Sequence, residues 1–521
     1  MPRPAPLPEQ APEPRDIVRT ALCVEAREGR LHVFLPPLTR IEDFIELVAA
    51  IERAAAATGL PLWLEGYAPP RDVRLGQFSV TPDPAVIEVN IHPAASWDEL
   101  VERTTVIYEE ARLTRLGTEK FMLDGRHTGT GGGNHITLGG ATAADSPILR
   151  RPDLLASLIA YWQNHPALSV PVFRHVHRSH QPGAAGGRGA RRQPVRTRDR
   201  APATFKRVAA GRRKRQALAG RPFAAQPVDG SHRNTHRAEF SIDKLYSPDS
   251  ATGRLGLVEL RAFEMPPHPH MSLAQVLLLR TLVACFWRAP YTRPLIAWGT
   301  ELHDRFMLPH FVEADMRDVV RDLAHAGYAF DAAWLAPFLE FRFPRYGSVV
   351  YDNVQIEFKR AIEPWNVLGE EVAQGGTARY VDSSVERLQV KVNGITGSRH
   401  VVTCNGRPLP LHPTGVHGEY VAGVRYKAWS PPSALHPTIG VHSPLVFDLV
   451  DTWNARSLGG CTYHVSHPGG RSYDTFPVNA NEAEARRIAR FRDHGHTPGR
   501  MDVKAEPLNP QFPYTLDLRR G

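Results

Sequence analysis

Three short stretches of the 521-residue chain carry polar residues two positions apart, the spacing that places side chains on one face of a β-strand. In AVIEVNI, Glu88 and Asn90 alternate with Ile87, Val89 and Ile91. In HRAEFSI, Arg237 and Glu239 stand opposite an apolar face of Ala238, Phe240 and Ile242. In LGLVELRAF, Glu259 and Arg261 share a face. One such pair is commonly a solvent-facing ion pair of little energetic weight. Three of them beside a glycine-rich segment favour a lined cavity. Carboxylates in such a cavity suit Mg²⁺, a hard ion that keeps water and phosphate oxygens in its shell. Guanidiniums there neutralise a transferring phosphate or hold a substrate carboxylate with two parallel hydrogen bonds.

The glycine-rich segment is DGRHTGTGGGNHITLGG, residues 124–140, with His135 at the point where the text turns apolar. Backbone N–H groups of glycines approach phosphates closely, and an imidazole beside them ligates metal or donates to a phosphate oxygen. The segment lacks the Lys-Ser/Thr ending of a P-loop and does not follow the dinucleotide-binding pattern. A flexible surface loop is the competing reading.

The elements that must position these residues have clear punctuation. TRIEDFIELVAAIERAAAATG reads as a helix with a capping box from Thr39 to Glu42 and a stop at Gly59. SWDELVERTTVIYEEARLTRLG repeats the device with Ser96, Glu99 and Gly117, and SLAQVLLLRTLVACFW with Ser272 and Gln275. Strand patterns fall in ALCVEA, LHVFL, LWLEGY and HITL as well as in the three stretches above. Beyond about residue 370, RLQVKVNG, HVVTCNG and GEYVAGVRYKAW are short strands between Gly and Pro turns. The expected organisation is a Pro-rich leader over 1–15, a mixed domain over 16–370 and a β-rich module over 371–521.

Composition narrows the class. The net charge is +9, but residues 171–230 hold 15 Lys+Arg against 2 Asp+Glu, a balance of +13, which leaves 9 − 13 = −4 for the rest. That block has no strand or helix period and few large apolar residues, so it cannot offset the entropy of ordering it. Written as degenerate codons and moved one base downstream, the block permits peptides with an alternating, acidic pattern at both ends, and a frame-shifted reading of roughly residues 170–233 is the expectation. A genuine basic tether for nucleic acid is the alternative; on the frame-shift reading no nucleic-acid partner is expected. Cys23, Cys285, Cys404 and Cys461 are far apart and read as free thiols. The longest apolar run, LAQVLLLRTLVACFW, is interrupted by Arg280 and is too short for a bilayer, so a soluble, cytoplasmic protein with no membrane partner is expected.

TGGGNHITLG resembles the glycine-rich, histidine-ended ATP region of glutamine synthetases, with Gly139 where a serine is usual. VELRAFEMPP resembles the Glu-x-Arg strand of that superfamily, and IEVNIHPA the metal-ligand strand of glutamate–cysteine-ligase-like relatives. RTALCVE, LGTEKFMLDGRHTGTGGGNH, NTHRAEFSIDKLYSPDS, ELHDRFMLPHF and GGCTYHVSHPGGR are similar to a bacterial amidoligase family found C-terminal to transglutaminase-like domains, over nearly the whole chain outside 170–233. The resemblance implies an α+β fold: a glutamine synthetase-like, mainly antiparallel sheet with flanking helices, then the β-rich module. It implies ATP and Mg²⁺ as cofactors, with Glu65, Glu88 and Glu259 as metal ligands and His135 as a metal or phosphate contact. Gly131, Gly132 and Gly133 become the nucleotide loop, Lys120 a phosphate contact, and Arg237 and Arg261 clamps, with Glu239 orienting Arg237. The implied reaction joins a small-molecule or peptide carboxylate to an amine through an acyl phosphate, beside a transglutaminase-like partner. Relatives carry further sequence upstream, so a truncated or inactive copy is also expected, and a non-catalytic scaffold is the alternative.

Overall fold

The computed structural model describes residues 21–72, 74–83, 86–130, 133–169, 239–246, 253–363, 366–373, 376–382, 384–397, 399–430, 438–465 and 473–520. The leader, the basic block, Gly131, Gly132 and Arg237 lie outside the described residues. The chain divides into two compact units, Met1–Thr81 with Ile87–Pro93, and Pro82–Val86 with Ala94–Gly521.

In the first unit, β1 (Cys23–Arg27) and β2 (Arg30–Leu35) form an antiparallel hairpin turned at Glu28 and Gly29, both at positive φ. This is the geometry that matches strand twist in a two-residue turn. Helix α1 (Ile41–Thr58) then crosses over so that β3 (Leu62–Gly66) lies parallel to β2, and Val33 and Leu35 pack against Ile51. The expected capping box does not form. Arg40 occupies the N-cap position, and Glu42 instead accepts a hydrogen bond from Arg74 at 2.7 Å. The stop at Gly59 does form, in the left-handed conformation. Strands β4 (Ser79–Asp83) and β5 (Val86–Asn90) make a two-stranded ladder. The apolar face read over Ile87 and Ile91 is not buried, with 48% and 43% of those residues exposed, because two strands offer no wider sheet to cover.

The second unit opens with α2 (Trp97–Leu113), capped as read: Ser96 accepts the Glu99 N–H at 3.2 Å, and Glu99 accepts the Ala95 N–H at 2.6 Å. The hairpin of β6 (Glu119–Phe121) and β7 (His127–Gly129) follows, then β8 (Ile136–Leu138) and α3 (Pro152–Asn164). Strands β9 (Phe240–Ser241) and β10 (Val258–Leu260) join β8 in an antiparallel sheet ordered β8-β10-β9. Helices α4 (Pro269–Arg288), α5 (Pro309–His325) and α6 (Ala336–Arg342) complete this half. Leu154, Leu158, Trp162, Leu278, Leu282, Val312 and Leu323 form one core with Ile136, Phe240 and Leu260 of the small sheet. Helix α4 begins at Pro269, a turn before the expected start, so Ser272 and Gln275 lie buried inside it rather than at its cap. At 20 residues it is the one helix among the described residues long and apolar enough to cross a membrane, yet most of that length is buried in protein.

Strands gather from Arg345 onward, upstream of the expected boundary at 371. They are β11 (Arg345–Tyr351), β12 (Val354–Ala361), β13 (Asn366–Ala373), β14 (Gly376–Asp382), β15 (Val385–Asn393), β16 (His400–Cys404), β17 (Arg407–Pro408) and β18 (His412–Pro413). Then come β19 (Glu419–Lys427), β20 (Leu445–Asp451), β21 (Arg456–Tyr463), helix α7 (Ala480–Ile488), β22 (Phe491–Arg492) and β23 (Thr515–Asp517). One sheet runs β11-β12-β15-β19-β18 with β23 parallel to β19; a second runs β17-β16-β20-β21-β22. Their inner faces share a core of Ile356, Phe358, Val390, Val424, Phe447 and Tyr463, with the Phe358 and Phe447 rings 4.7 Å apart. The fold is α+β with a β-rich C-terminal part. All four cysteines are free.

Charges are buried where this sandwich meets the helices. Glu363 accepts from Arg387 at 2.7 Å and from Arg425 at 3.0 Å, and Arg425 also reaches Asp517 at 3.5 Å. Asp304 accepts from the Thr515 hydroxyl at 2.6 Å and the Tyr514 N–H at 2.8 Å, fastening the C-terminal strand. Breaking such a network from one side leaves unpaired buried charge, at a cost of about 3–5 kcal/mol. Glu363→Ala is therefore expected to lower the unfolding free energy by about that amount in urea titration. Burial opposes the charge on Asp517, but Arg519 and Arg425 outweigh it and hold the carboxyl at about 2 against its ordinary 3.8. A depressed carboxylate stabilises the fold above its unfolded value and loses that contribution as pH falls through its folded one. Stability measured from pH 4 down to 2 should fall less steeply in Asp517→Asn than in the parent chain.

Candidate functional site

The small sheet places Glu259 at its centre. Its register sets Thr137 opposite Glu259 and Glu259 opposite Ser241, while Ile136, Leu260 and Phe240 line up one residue away and face the core. Glu259 therefore projects from the other face, yet its side chain keeps only 8% exposure because cationic groups surround it. His135 Nδ1 lies 3.1 Å from its Oε1. Arg261 Nε lies 3.0 Å from Oε1, and Nη2 donates to Oε2 at 3.2 Å. Lys244 Nζ lies 3.5 Å from Oε2. The His135 hydrogen bond, then Arg261 and the Lys244 charge, outweigh burial and hold the Glu259 carboxyl well below the usual carboxylate range. The surrounding donors thus favour the ionised carboxylate, the state a hard metal ligand requires.

The end of the glycine-rich segment is tied down beside it. Gly133 bridges Glu264 across the continuation of β10, and the Asn134 N–H donates to the Phe263 carbonyl at 2.9 Å. The Asn134 carboxamide donates to Ser272 Oγ at 2.9 Å and Gln275 Oε1 at 2.7 Å, both on α4. His135 folds back over Gly133, where a Cβ would lie 2.5 Å from the imidazole Nε2. Glycine at 133 is thus what allows the imidazole to sit against Glu259. Behind the segment, Glu264 is paired with Arg342 of α6, and both are largely buried.

Of the residues singled out from sequence, the structure brings together His135, Glu259 and Arg261, with Gly133 beside them. Glu239 joins through its backbone: its carbonyl accepts the Arg261 N–H at 2.9 Å, and its carboxylate accepts from Ser169 at 3.1 Å. Lys120 donates to the Thr130 carbonyl at 3.3 Å and so props the segment. Glu65 and Glu88 belong to the first unit. There Glu65 is bound by Arg27 and by His32, at 2.8 Å for the latter, and these lower its pKa; Glu88 is exposed. Among the described residues no group of three His, Cys, Asp or Glu side chains is placed to hold a metal ion.

Sequence reading passed over Lys244, Asn134, Ser272 and Gln275 as site residues. Ser272 and Gln275 did carry a signal, since three-residue spacing of Ser and Gln near a helix start reads as a cap. Inside α4 the same spacing puts both on one helical face, where they receive Asn134. Lys244 stands in SIDKLY with no periodicity that singles it out.

Residues 3–519 match the sequence profile of a family described as "Putative amidoligase enzyme (DUF2126)". No curated protein and no solved structure matches the chain.

The Asn134 anchor yields a direct test. Asn134→Ala removes two hydrogen bonds to buried groups on α4, a loss of about 1–3 kcal/mol. Thermal unfolding should shift down by about 1 °C per kcal/mol, from an unfolding entropy of about 2.1 cal/mol/K per residue over the 521-residue chain. An unchanged melting temperature would show that the segment is held without this carboxamide.

Proposed function

The chain belongs to this amidoligase family, and we propose that it joins a carboxylate to an amine in an ATP- and Mg²⁺-dependent reaction. The observation that supports this reading is the Glu259 carboxyl held by His135, Arg261 and Lys244 beside a glycine-rich segment. In the proposed reaction a substrate carboxylate oxygen takes the terminal phosphoryl group of ATP and ADP leaves. The amine then attacks the acyl carbon of the acyl phosphate, loses its proton to a base, and inorganic phosphate departs.

Mg²⁺ is ordinarily held by one or two carboxylates together with substrate phosphates, not by an all-protein cage. Glu259 with His135 suits that demand as a two-donor set, and a metal bound there would supply positive charge to the phosphate oxygens. Arg261 and Lys244 carry the rest of the work. Phosphate oxygens offer both cations new acceptors, which releases lone pairs on Glu259, and the fork of Arg261 neutralises charge on a transferring group. His135, oriented by Glu259, donates to a phosphate oxygen or binds metal with the nitrogen that faces away from the carboxylate. The same proposal gives the backbone of Gly131, Gly132 and Gly133 to the nucleotide and Arg237 to a clamp, and it keeps a glutamine synthetase-like ancestry and a transglutaminase-like partner on the resemblance of the sequence alone.

Calorimetric titration of the full chain with Mg·ATP tests the reading. Glu259→Gln keeps size and hydrogen-bonding capacity but removes the charge, and should weaken binding by at least about tenfold, equivalent to about 1.4 kcal/mol. Equal affinity in the variant removes Glu259 from the site. No binding by the parent chain overturns the ATP-dependent reading and leaves the scaffold alternative.

A further inference from the structure

Away from Glu259, the turn of the β6–β7 hairpin enters one end of the β-sandwich and meets a concentration of arginines. Asp124 pairs with Arg126 at 2.5 Å and with Arg490 at 3.4 Å. Arg126 donates to Glu386 of β15 at 3.0 Å, and Glu386 accepts the Tyr426 hydroxyl at 3.1 Å. The Leu123 carbonyl accepts from Arg486 of α7 at 2.7 Å. Gly125, at φ 80°, is in contact with the Ala483 carbonyl, so no side chain fits at the tip. Glu264 is occupied by Arg342. Among the described residues, each of these carboxylates is thus committed to a partner other than Arg360.

Arg360 lies on β12, paired with Leu388, and Leu388 and Glu386 are two apart on β15, so all three share the inner face of the sheet. Its guanidinium makes no hydrogen bond and no close ion pair among the described residues, although it is partly buried. The charges it feels are those of Arg126 and Arg342, which oppose its own, and of Glu386, Tyr346 and Asp124, which favour it. Among the described residues, five guanidiniums, of Arg126, Arg342, Arg360, Arg486 and Arg490, stand against four carboxylates, of Asp124, Glu264, Glu386 and Glu482. Burial and the neighbouring Arg126 lower the Arg360 pKa. A half-buried guanidinium held among like charges costs stability, and such costs persist where a ligand offsets them.

We propose that Arg360, backed by Arg126 and Arg342, is an oxyanion-binding subsite that takes a carboxylate or phosphate group of an acidic ligand. The planar fork of Arg360 matches two oxygens of either group. Arg342 connects the subsite to the glycine-rich segment, since its partner Glu264 bridges Gly133. Its role as the clamp for the acid substrate rests on the ligase reading; its existence as an anion site does not.

Thermal melts and calorimetry of the full chain, with sodium glutamate and inorganic phosphate as separate probes in chloride buffer without ATP or Mg²⁺, test the proposal. The parent chain should bind at least one probe, glutamate if the natural group is a carboxylate and phosphate if it is a phosphate. Arg360→Gln should weaken that binding by at least about tenfold, and Arg360→Lys by less, because an ammonium keeps charge but loses the fork. Arg500→Gln, at an exposed pair with Asp502, should bind like the parent. Without any probe, Arg360→Gln should melt higher than the parent, since it removes unpaired positive charge. A lower melting temperature or failure to fold in Arg360→Gln overturns the proposal by showing a structural partner for the guanidinium. Binding of neither probe by the parent, or equal binding by Arg360→Gln, overturns it too. Because nucleotide and metal are absent, such a failure leaves the ligase reading standing, and failure of Mg·ATP binding leaves this one standing.

Discussion

The ion pair between Arg126 and Glu386, 260 positions apart in the chain, couples the two halves of the second unit. One end of the β6–β7 hairpin is its turn, locked into the mouth of the sandwich by Arg126, Asp124 and the close approach of Gly125 to α7. The other end is Gly129, which leads into the glycine-rich segment. Three-residue strands have almost no stability of their own. This hairpin holds its shape because tertiary contacts fasten it at the turn. A glycine-rich segment loses more backbone entropy on ordering than any other sequence, so it needs fixed points on both sides. The hairpin supplies one, and the hydrogen bonds of Asn134 to Ser272 and Gln275 of α4 supply the other.

Between those fixed points the charges follow a simple rule. A buried carboxylate survives by gathering donors, and Glu259 gathers three. Glu363 does the same with Arg387 and Arg425 in the sandwich. The difference lies in exposure around the carboxylate. Arg387 is fully buried, so the Glu363 network is sealed, whereas His135 and Lys244 are 44% and 51% exposed in their side chains. A sealed network can only stabilise, while an open one can exchange partners with a ligand.

How far this was legible in the sequence depended on the range of the forces involved. Period-2 spacing placed Glu259 and Arg261 on one face, and the two do touch, because strand geometry is local. The same rule failed at Ile87 and Ile91, where burial depends on how many strands assemble. Ser96 with Glu99 formed its cap, but Ser272 with Gln275 did not, because a helix can start earlier and turn a capping pattern into a buried polar pair. The β-rich part begins at Arg345 because YGSVVYDNVQIEF is a hairpin with Asp352 and Asn353 both at positive φ. Asx residues between alternating apolar ones are a recognised hairpin signal, present in the sequence and passed over. Lys244 and Arg360 had no such signal, since what distinguishes them is the charge of residues far away in the chain.

That last contrast bears on where function is to be sought in this fold. Local pattern identifies residues that are good partners for one another, and natural sequences satisfy most of them. The informative positions are those where the satisfied pattern ends. At Glu259 one carboxylate has an excess of cationic donors, and at Arg360 one guanidinium has none of the carboxylates around it. The first is tied to Gly133 directly and the second through intermediaries: Gly133 touches His135 on one side and bridges Glu264, the partner of Arg342, on the other. Positive charge therefore accumulates at two places tied to one stretch of backbone, at Glu259 through His135 and at Arg360 beside Arg342, the partner of Glu264.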